Sequence, residues 1–261
     1  MNSDNPYQPP TTQVETAAKS SDDIWTFIEP QSVPVGRSLS WIGQGFSFFG
    51  RNAGTWIVIT IIYLLVLLFS SFIPFATTIL QPILAGGLML GLYAQDNGQD
   101  IEIRHLFEGF SVCVDKLAIF GALLIGIAIL TTIVFAILFL IGFFVVLGLN
   151  ESGADSQIAI IIMVTIAVPV VLIVSLLFGA LSWFGPPLII LHNKPVGDAV
   201  KLSLLALKRN IGAFIIFSFF AFLLVVLVAF TLYIGLLVLM PVLFGATYAS
   251  WKDIFTNAPS Q

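Results

Sequence analysis

The amino-acid sequence predicts an all-α polytopic membrane protein in which six transmembrane helices form three hairpin repeats, each preceded by a cytoplasmic interfacial helix. Composition is the first observation behind this prediction. Of the 261 residues, 58% are hydrophobic and only 9% are charged, whereas soluble domains are roughly 45–50% apolar and about 25% charged. The formal net charge is −4, and the sequence has no basic patch. We therefore expect that the chain is neither soluble nor disordered and that it does not bind nucleic acid.

The positions of the charges are the second observation. Asp, Glu, Lys and Arg are absent from four stretches of 44, 34, 38 and 42 residues. These stretches are 52–95, 117–150, 156–193 and 210–251. About 20 helical residues cross a bilayer, so the first and last stretches must fold back and cross twice. Each central stretch is predicted to cross once and, because of its length, to tilt, protrude or break.

Six crossings follow from this count. They lie at about 55–73, 76–95, 117–148, 157–184, 211–232 and 235–251. The two fold-back turns are expected near 70–75, where Pro74 lacks a backbone N–H, and near 231–235. In the fourth crossing we expect a kink at Pro169 and a break at Pro186-Pro187.

Basic residues fix the predicted orientation. They are Lys19, Arg37, Arg51, Arg104, Lys116, Lys194, Lys201, Lys208, Arg209 and Lys252. With six crossings all ten fall on one side of the membrane. Because basic residues in short loops mark the cytoplasmic face, both termini are predicted to be cytoplasmic in a bacterial inner membrane.

The two ends of the chain differ from its apolar middle. Residues 1–34 are polar, rich in Pro, Ser and Thr, and without a signal-peptide pattern, so they predict a disordered cytoplasmic tail. Residues 35–255 form the predicted six-helix transmembrane domain, and 256–261 a short C-terminal tail.

An internal repeat is the third observation. Arg51-Asn52-Ala53-Gly54 precedes the first hairpin and Arg209-Asn210-Ile211-Gly212 precedes the last. Pro82 stands 30 residues after Asn52, and Pro241 stands 31 residues after Asn210. Gly109-Phe110-Ser111 and Pro186-Pro187 indicate a weaker middle copy. Since all copies begin on the same side, they are predicted to be parallel repeats.

A short amphipathic stretch precedes each hairpin, over 38–50, 104–115 and 197–208. In the first, Leu39, Ile42, Phe46 and Phe49 share one helical face. Helices of this kind lie in the headgroup plane. Two interpretations remain open: they orient the next crossing, or they present a surface to lipid headgroups or a partner.

Several strings carry a family resemblance. They are Val33-Pro34-Val35-Gly36-Arg37 with Trp41-Ile42 and Gly45-Phe46; Gly86-Gly87-Leu88-Met89-Leu90-Gly91; His105-Leu106-Phe107-Glu108-Gly109-Phe110; and Pro241-Val242-Leu243 running to Tyr248-Ala249-Ser250-Trp251-Lys252-Asp253-Ile254-Phe255. Over about 33–255 they resemble a family of uncharacterised proteobacterial inner-membrane proteins. Members more often have Tyr-Arg where this chain has Trp251-Lys252.

The Leu-Phe-x-Gly-Phe and Pro-x-Leu-x-Gly strings are more distantly similar to the membrane domain of some glycerophosphodiester phosphodiesterases. This sequence contains no phosphodiesterase domain, so that activity is not expected. The resemblance therefore implies a compartment and an architecture, and it supplies no active-site residue.

The predicted crossings contain no ionisable Asp, Glu, Lys, Arg or His, which argues against ion-coupled pumping. No catalytic triad, Cys-x-x-Cys or phosphate loop occurs. The acidic run 96–102 lacks the glycine that a calcium loop needs at its sixth position. We therefore expect no enzyme, no metal site and no cofactor.

Neutral residues are the remaining candidates for function. The candidate helix breaks are Gln81, Pro82, Pro186, Pro187 and Pro241. Two interpretations of them remain open: they are simple kinks of packed helices, or they line a path through the membrane. Small residues spaced for close helix packing are Gly87, Gly91, Ala118, Ala122, Gly126, Gly245 and Ala249.

Two functions fit these residues. The first is a non-catalytic scaffold or membrane-homeostasis factor that contacts membrane lipids and either a membrane-protein partner or another copy of itself. The alternative is a channel or facilitator for an uncharged or lipid-like solute. A cavity between the repeats, with Gln81 and the prolines around it, is the feature that would favour the alternative.

Overall fold

The computed structural model describes residues 26–151 and 156–258. Within these ranges the chain forms helices and a single isolated β-bridge. The helices are α1 (Arg37–Arg51), α2 (Ala53–Ser70), α3 (Ala76–Asp96), a 3₁₀ helix (Ile103–Phe107), α4 (Gly109–Val112), α5 (Val114–Glu151), α6 (Ser156–His192), α7 (Val196–Arg209), α8 (Ile211–Phe230) and α9 (Leu236–Phe255).

Five of the described helices are long and apolar enough to cross a membrane. The crossing segments are Ala53–Ser70, Ala76–Asp96, Val114–Leu149, Met163–His192 and Ile211–Phe230. The predicted all-α membrane architecture is confirmed to this extent. The sixth predicted crossing, α9, is not among the five because its second half carries polar residues from Thr247 to Asp253.

Both fold-back turns form where the sequence predicts them. The first joins α2 to α3, and Phe75 at its end has a left-handed φ of 64°. The second joins α8 to α9, with φ of 51° at Leu232 and 65° at Tyr233. We call this end of the bundle the turn end. The opposite end, where α3, α6 and α9 finish, is called the charged end.

The predicted break at Pro186-Pro187 is wrong, because α6 continues through both residues to His192 rather than ending near 184. Pro169 also lies inside the continuous helix. A proline removes one helical hydrogen bond, but Pro186 and Pro187 are buried, and their contacts with neighbouring helices hold the backbone in place. The same is true of Pro82 in α3 and Pro241 in α9.

Helices α5 and α6 are much longer than the others. At 38 residues α5 extends about 57 Å, whereas the hydrocarbon core of a bilayer is about 30 Å thick. Their turn-end halves form an antiparallel pair, in which Gly142 faces the side chain of Met163. Most side chains on these halves are exposed, including Ile129 and Ile173.

The three hairpins, α2–α3, α5–α6 and α8–α9, pack in a closed ring. Helix α1 packs on α9, the 3₁₀ helix and α4 pack on α3, and α7 packs on α6. The first helices of the hairpins also pack on the second helix of the preceding hairpin in the ring: α2 contacts α9, and α5 contacts α3. Helix α8 contacts α6 through the ring pair Trp183–Phe217, with centroids 4.8 Å apart. Helices α3, α6 and α9 also contact one another at the centre.

The buried face of α1 is not the apolar face that the sequence singles out. Ser38, Trp41, Gly45 and Phe48 are buried, whereas Leu39 and Phe46 are nearly half exposed. Both faces of α1 carry apolar side chains. The face with small residues is buried because it lets α1 come close to α9.

The closest point of this contact joins two glycines. A Cβ built on Gly245 would lie 2.8 Å from the Cα of Gly45, and a Cβ on Gly45 would overlap the carbonyl oxygen of Val242. Helix backbones in lipid associate through such close packing rather than through the hydrophobic effect. The α1–α9 contact therefore requires glycine at both positions.

Residues 26–33, which we call the N-terminal strap, run extended along the charged end. Phe27 forms the β-bridge with Thr256, and the N–H of Ile28 donates to Phe255 O over 2.8 Å. The part of the predicted tail that the structure describes is thus bound to the helical domain. Residues 1–25 and 259–261, which complete the two predicted tails, lie outside the described residues.

We expect Gly45→Ala to lower the free energy of unfolding by about 1–3 kcal/mol, the usual cost of overpacking a tight contact. Thermal unfolding in detergent micelles measures it. Gly43→Ala is the matched control, because nothing lies within 4 Å of a Cβ at Gly43 on the same helix. Equal midpoints for the two variants would contradict the assigned role of Gly45.

Candidate functional site

A cavity of about 270 Å³ lies between the hairpins, and we call it the central cavity. Five helices, α2, α3, α5, α6 and α9, supply its walls. The lining residues are Tyr63, Gln81, Pro82, Ala85, Met89, Phe120, Leu124, Gly179, Ser182, Trp183, Pro186, Pro187, Met240, Leu243, Phe244 and Thr247. It is therefore a space between hairpins rather than a void inside one of them.

Four of the five candidate break residues come together here. Gln81 and Pro82 from α3 line the central cavity together with Pro186 and Pro187 from α6. Pro241 is buried in α9 directly after Met240, which does line it. The cavity that the facilitator hypothesis needs is thus present, although the helices around it continue through their prolines rather than break.

The prolines affect the polarity of the wall. Pro186 and Pro187 have no N–H, so the carbonyl groups of Ser182 and Trp183, four residues earlier, lack their usual helical donor. Both of these residues line the cavity. A helix in lipid must satisfy such groups within the protein or with a ligand.

The remaining polar groups of the wall are few and neutral. They are the amide of Gln81, the hydroxyl groups of Tyr63, Ser182 and Thr247, and the indole N–H of Trp183, which donates to Ser250 Oγ over 2.8 Å. Thr247 donates to Leu243 O over 2.9 Å, whereas the Tyr63 hydroxyl makes no hydrogen bond to the described part of the chain. No carboxylate, amine, guanidinium or imidazole lines the cavity. Such a wall suits an uncharged, largely apolar ligand with one or a few hydrogen-bonding groups.

The central cavity is open on one side. Gln81 and Gly179 are exposed, whereas Pro82, Ala85 and Met89, which follow Gln81 along α3, are buried. Because Gln81 lies near the first turns of α3, the opening is toward the turn end.

A second cavity, of about 470 Å³, lies nearer the charged end, and we call it the terminal cavity. Its lining residues are Thr26, Phe27, Leu90, Tyr93, Ile190, Leu191, His192 and Trp251. In an α-helix, residues four apart lie on one face. Tyr93 follows Met89, Ile190 follows Pro186, and Trp251 follows Thr247 by this spacing. The same faces of α3, α6 and α9 therefore line both cavities in succession.

Two buried ion pairs hold α9 at the charged end. Lys252 Nζ donates to the Asp96 carboxylate over 2.7 Å, and the Tyr248 hydroxyl donates to the same oxygen over 3.0 Å. The Lys252 and Asp96 side chains are only 9% and 11% exposed. These contacts join α9 to α3.

The second pair joins α9 to α1. Arg37 donates two hydrogen bonds of 2.8 Å from its Nη2 to the Asp253 carboxylate, which also accepts a 2.8 Å bond from Trp41 Nε1. Sequence reasoning missed both pairs. Their signal was the adjacent opposite charges of Lys252 and Asp253 at the end of an apolar helix.

The two Arg-Asn motifs occupy equivalent junctions. Asn52 lies between α1 and α2, and Asn210 lies between α7 and α8. Asn52 accepts from Gln95 Nε2 over 3.0 Å and donates to Asp100 over 2.8 Å. Asn210 instead accepts from Val33 N over 2.8 Å and so holds the N-terminal strap. Each asparagine thus joins a helix junction to an adjoining segment.

The predicted packing residues divide into two groups. A Cβ at Gly87 would overlap the carbonyl of His105, and Gly91 faces Ile101, so both pack against the segment after α3. Gly245 and Ala249 pack in the core, as already shown for Gly245. Ala118 is half-buried.

Ala122 and Gly126 are exposed, and no described residue comes within 4 Å of a Cβ built on Gly126. The close contact of α5 is at Gly121 instead. A Cβ built there would lie 2.8 Å from Ile79 Cα.

The loop after α3 carries three exposed charged residues, Asp100, Glu102 and Arg104. Arg104 donates to Glu102 over 2.7 Å, and this hydrogen bond holds the pKa of the Glu102 carboxyl below its usual value. His105 Nδ1 accepts from Glu102 N over 2.9 Å, which caps the 3₁₀ helix. Among the described residues, no group of three or more His, Cys, Asp or Glu could hold a metal ion.

This geometry defines a helical membrane protein with a neutral cavity between its hairpins. Its sequence is 27% identical over 229 residues to a probable inner membrane protein of Burkholderia thailandensis. The aligned region covers 80% of this chain and 79% of that relative. No family model matches the chain, and no solved structure matches it. The similarity agrees with the membrane-crossing helices described above.

We expect Lys252→Met to lower the free energy of unfolding by about 3–5 kcal/mol, because it leaves the Asp96 carboxylate buried without its cation. Adding Asp96→Asn should restore most of the loss, since the buried charge is then absent. Thermal unfolding in micelles measures both. Lys201→Met, at an exposed position on α7, should change stability by no more than about 0.5 kcal/mol. A double variant no more stable than Lys252→Met would contradict the assigned pairing.

Proposed function

We propose that the chain is a multi-pass protein of a bacterial inner membrane, with six crossings and both termini in the cytoplasm. The similarity to the Burkholderia protein supports the compartment. In this arrangement the charged end faces the cytoplasm, since every basic residue of the described part of the chain belongs to a segment there. The amphipathic helices α1, α4 and α7 then lie at the cytoplasmic interface.

Helix α9 is the sixth crossing in this proposal. It begins at the turn end and finishes at the charged end, antiparallel to α8, and its first eleven residues are apolar or proline and glycine. The polar residues of its second half are buried against other helices rather than presented to lipid. Lys252, for example, is 7% exposed and paired with Asp96.

We also propose that the domain consists of three parallel repeats. The ring of hairpins supports this, because each short helix packs on the second helix of the preceding hairpin. The junction residues Asn52, Cys113 and Asn210 have similar backbone angles, with φ of −139°, −145° and −126° and ψ of 50°, 37° and 24°. The distant likeness to the membrane domain of glycerophosphodiester phosphodiesterases stays a prediction.

Reporter fusions test the orientation. A green fluorescent protein fused after Gln261 should fluoresce, and alkaline phosphatase fused at the same point should be inactive, because the first folds in the cytoplasm and the second in the periplasm. Phosphatase fused between Ser71 and Phe72 should be active. An active phosphatase at both points would indicate that α9 does not cross.

The function that the geometry supports best is a facilitator for an uncharged, lipid-like solute. The central cavity carries this proposal, since it lies between the hairpins, has a neutral wall and opens toward the turn end. The terminal cavity continues along the same three helix faces. A solute that binds the first cavity therefore has a second space ahead of it in the direction of the cytoplasm.

Passage of this kind is passive and non-catalytic. Ion-coupled transport needs a titratable or charged group at the binding site, whereas the described residues give the wall of the central cavity neutral amide, hydroxyl, indole and carbonyl groups. We therefore propose neither a catalytic step nor a cofactor for this chain.

Filling the central cavity should stop the passage. Ser182→Phe places a ring in the cavity. It should slow the movement of a fluorescent diacylglycerol across the membrane of proteoliposomes that contain the protein by at least about tenfold. A tenfold change in rate corresponds to about 1.4 kcal/mol. The readout is quenching by dithionite added outside. Ser175→Phe is the matched control, because Ser175 is exposed two turns earlier on α6.

If diacylglycerol moved equally fast in vesicles with and without the protein, a lipid-like solute would be ruled out. If the vesicles with the protein then swelled faster in glycerol, the solute would be a small polyol instead. If Ser182→Phe and Ser175→Phe slowed the movement of diacylglycerol equally, the effect of Ser182→Phe would not come from filling the cavity. Both variants should elute as folded protein in size-exclusion chromatography before the comparison is made.

A scaffold is the second candidate, and the exposed apolar surface favours it. The turn-end halves of α5 and α6 extend beyond the bundle, and α1 exposes Leu39 and Phe46. We propose membrane lipids as the first contact of these surfaces, and a membrane-protein partner or a second copy as alternatives. Cross-linking in native membranes from Phe46 distinguishes lipid from protein contacts.

A further inference from the structure

The wall of the terminal cavity differs from that of the central cavity. Four rings line it, those of Phe27, Tyr93, His192 and Trp251. The centroids of Phe27 and His192 are 4.8 Å apart, and those of His192 and Trp251 are 5.2 Å apart. Among the residues that the structure describes, none with a carboxylate, amine or guanidinium belongs to the lining. Rings with polar edges suit a neutral group that carries hydroxyl or ester oxygens.

The N-terminal strap covers this cavity on the side of the charged end. Thr26 and Phe27 of the strap form part of the lining, whereas the other lining residues belong to α3, α6 and α9. Lys194 Nζ lies 3.9 Å from the centroid of the Phe27 ring, a distance typical of a cation–π contact. This contact holds the ring from the α6–α7 connection.

Within the described part of the chain, nine hydrogen bonds attach the strap to the ends of α7 and α9 and to the residues that follow those helices. Gln31 N donates to Ile254 O over 2.9 Å, and Gln31 Nε2 donates to Asp253 O over 2.7 Å. At the other side Asn210 holds Val33 and Gln31. Each of these hydrogen bonds is of modest net strength, and the strap lacks the helix–helix packing of the core, so it can open locally without unfolding of the helical domain.

We propose that the terminal cavity is a second binding site for the uncharged polar head of the lipid-like solute, and that the N-terminal strap is its cytoplasmic cover. This inference rests on the proposed function, because the central cavity must admit the solute first. Successive faces of α3, α6 and α9 connect the two sites. The ring-lined wall with Thr26, Tyr93 and His192 takes the head, and the more apolar central cavity takes the hydrocarbon part.

Protection of single cysteines tests the proposal. In a Cys113→Ala background, which removes the sole native cysteine, Leu191→Cys reports on the terminal cavity and Ser182→Cys on the central cavity. Leu90→Cys is a second reporter in the terminal cavity on another helix. Ser175→Cys, which is exposed on α6, is the control for general effects of lipid. The reagent is N-ethylmaleimide, and the probe is dioctanoylglycerol.

At a probe concentration ten times its dissociation constant, the reaction at Leu191→Cys and Leu90→Cys should slow by about tenfold, since about one site in eleven is then empty. The reaction at Ser175→Cys should not change. Adding Gln31→Ala removes one bond of the strap and should speed the reaction at Leu191→Cys by about fivefold without the probe. Gln44→Ala on α1 is the control for that substitution and should leave the rate unchanged.

The outcomes separate the two proposals. Protection at Ser182→Cys without protection at either cysteine of the terminal cavity would overturn the second site and leave the facilitator standing. Absence of protection at all three would overturn both. Protection in the terminal cavity with no effect of Gln31→Ala would show a bound head and refute the strap as its cover.

Discussion

The structure depends on the cost of placing charge in hydrocarbon. A charged side chain in the middle of a bilayer is so unfavourable that the four charge-free stretches are the part of the sequence able to cross. The charges that remain collect at the helix ends, where they can be paired. The ion pair between Asp96 and Lys252 joins α9 to α3, and the ion pair between Arg37 and Asp253 joins α9 to α1. The same constraint leaves the central cavity with neutral polar groups.

Close backbone packing gives the bundle its connectivity. In lipid, apolar side chains gain little from leaving their surroundings, so helices associate where small residues allow extensive contact. Gly45 against Gly245 and Gly87 against His105 are such places. Each joins a short helix at the charged end to the second helix of another hairpin. The ring therefore closes through contacts between hairpins, and the cavities lie at its centre where three second helices meet.

The prolines show what local sequence rules can and cannot predict about the course of a helix. Sequence rules correctly place Pro82, Pro186 and Pro187 as positions where a helical hydrogen bond is missing. They cannot say whether the helix breaks, because packing on both sides of the proline decides that, and here α3 and α6 continue. The lost donors instead leave carbonyl groups beside a cavity. Gln81 is next to Pro82 in the sequence, but its proximity to Pro186 follows from the contact between α3 and α6.

The sequence by itself determined the solvent, the helical class, both fold-back turns and the collection of basic residues in a few segments. Those properties follow from composition and local spacing. Tertiary structure decided which face of α1 is buried, that Gly121 rather than Ala122 and Gly126 makes the close contact of α5, and that residues 26–33 are bound. It also decided that four separate polar or proline positions surround one cavity. The reason is physical: where a membrane-crossing helix is apolar on every face, hydrophobicity no longer distinguishes the inside from the outside. Steric fit between backbones then makes the choice, and that fit exists only once the helices meet.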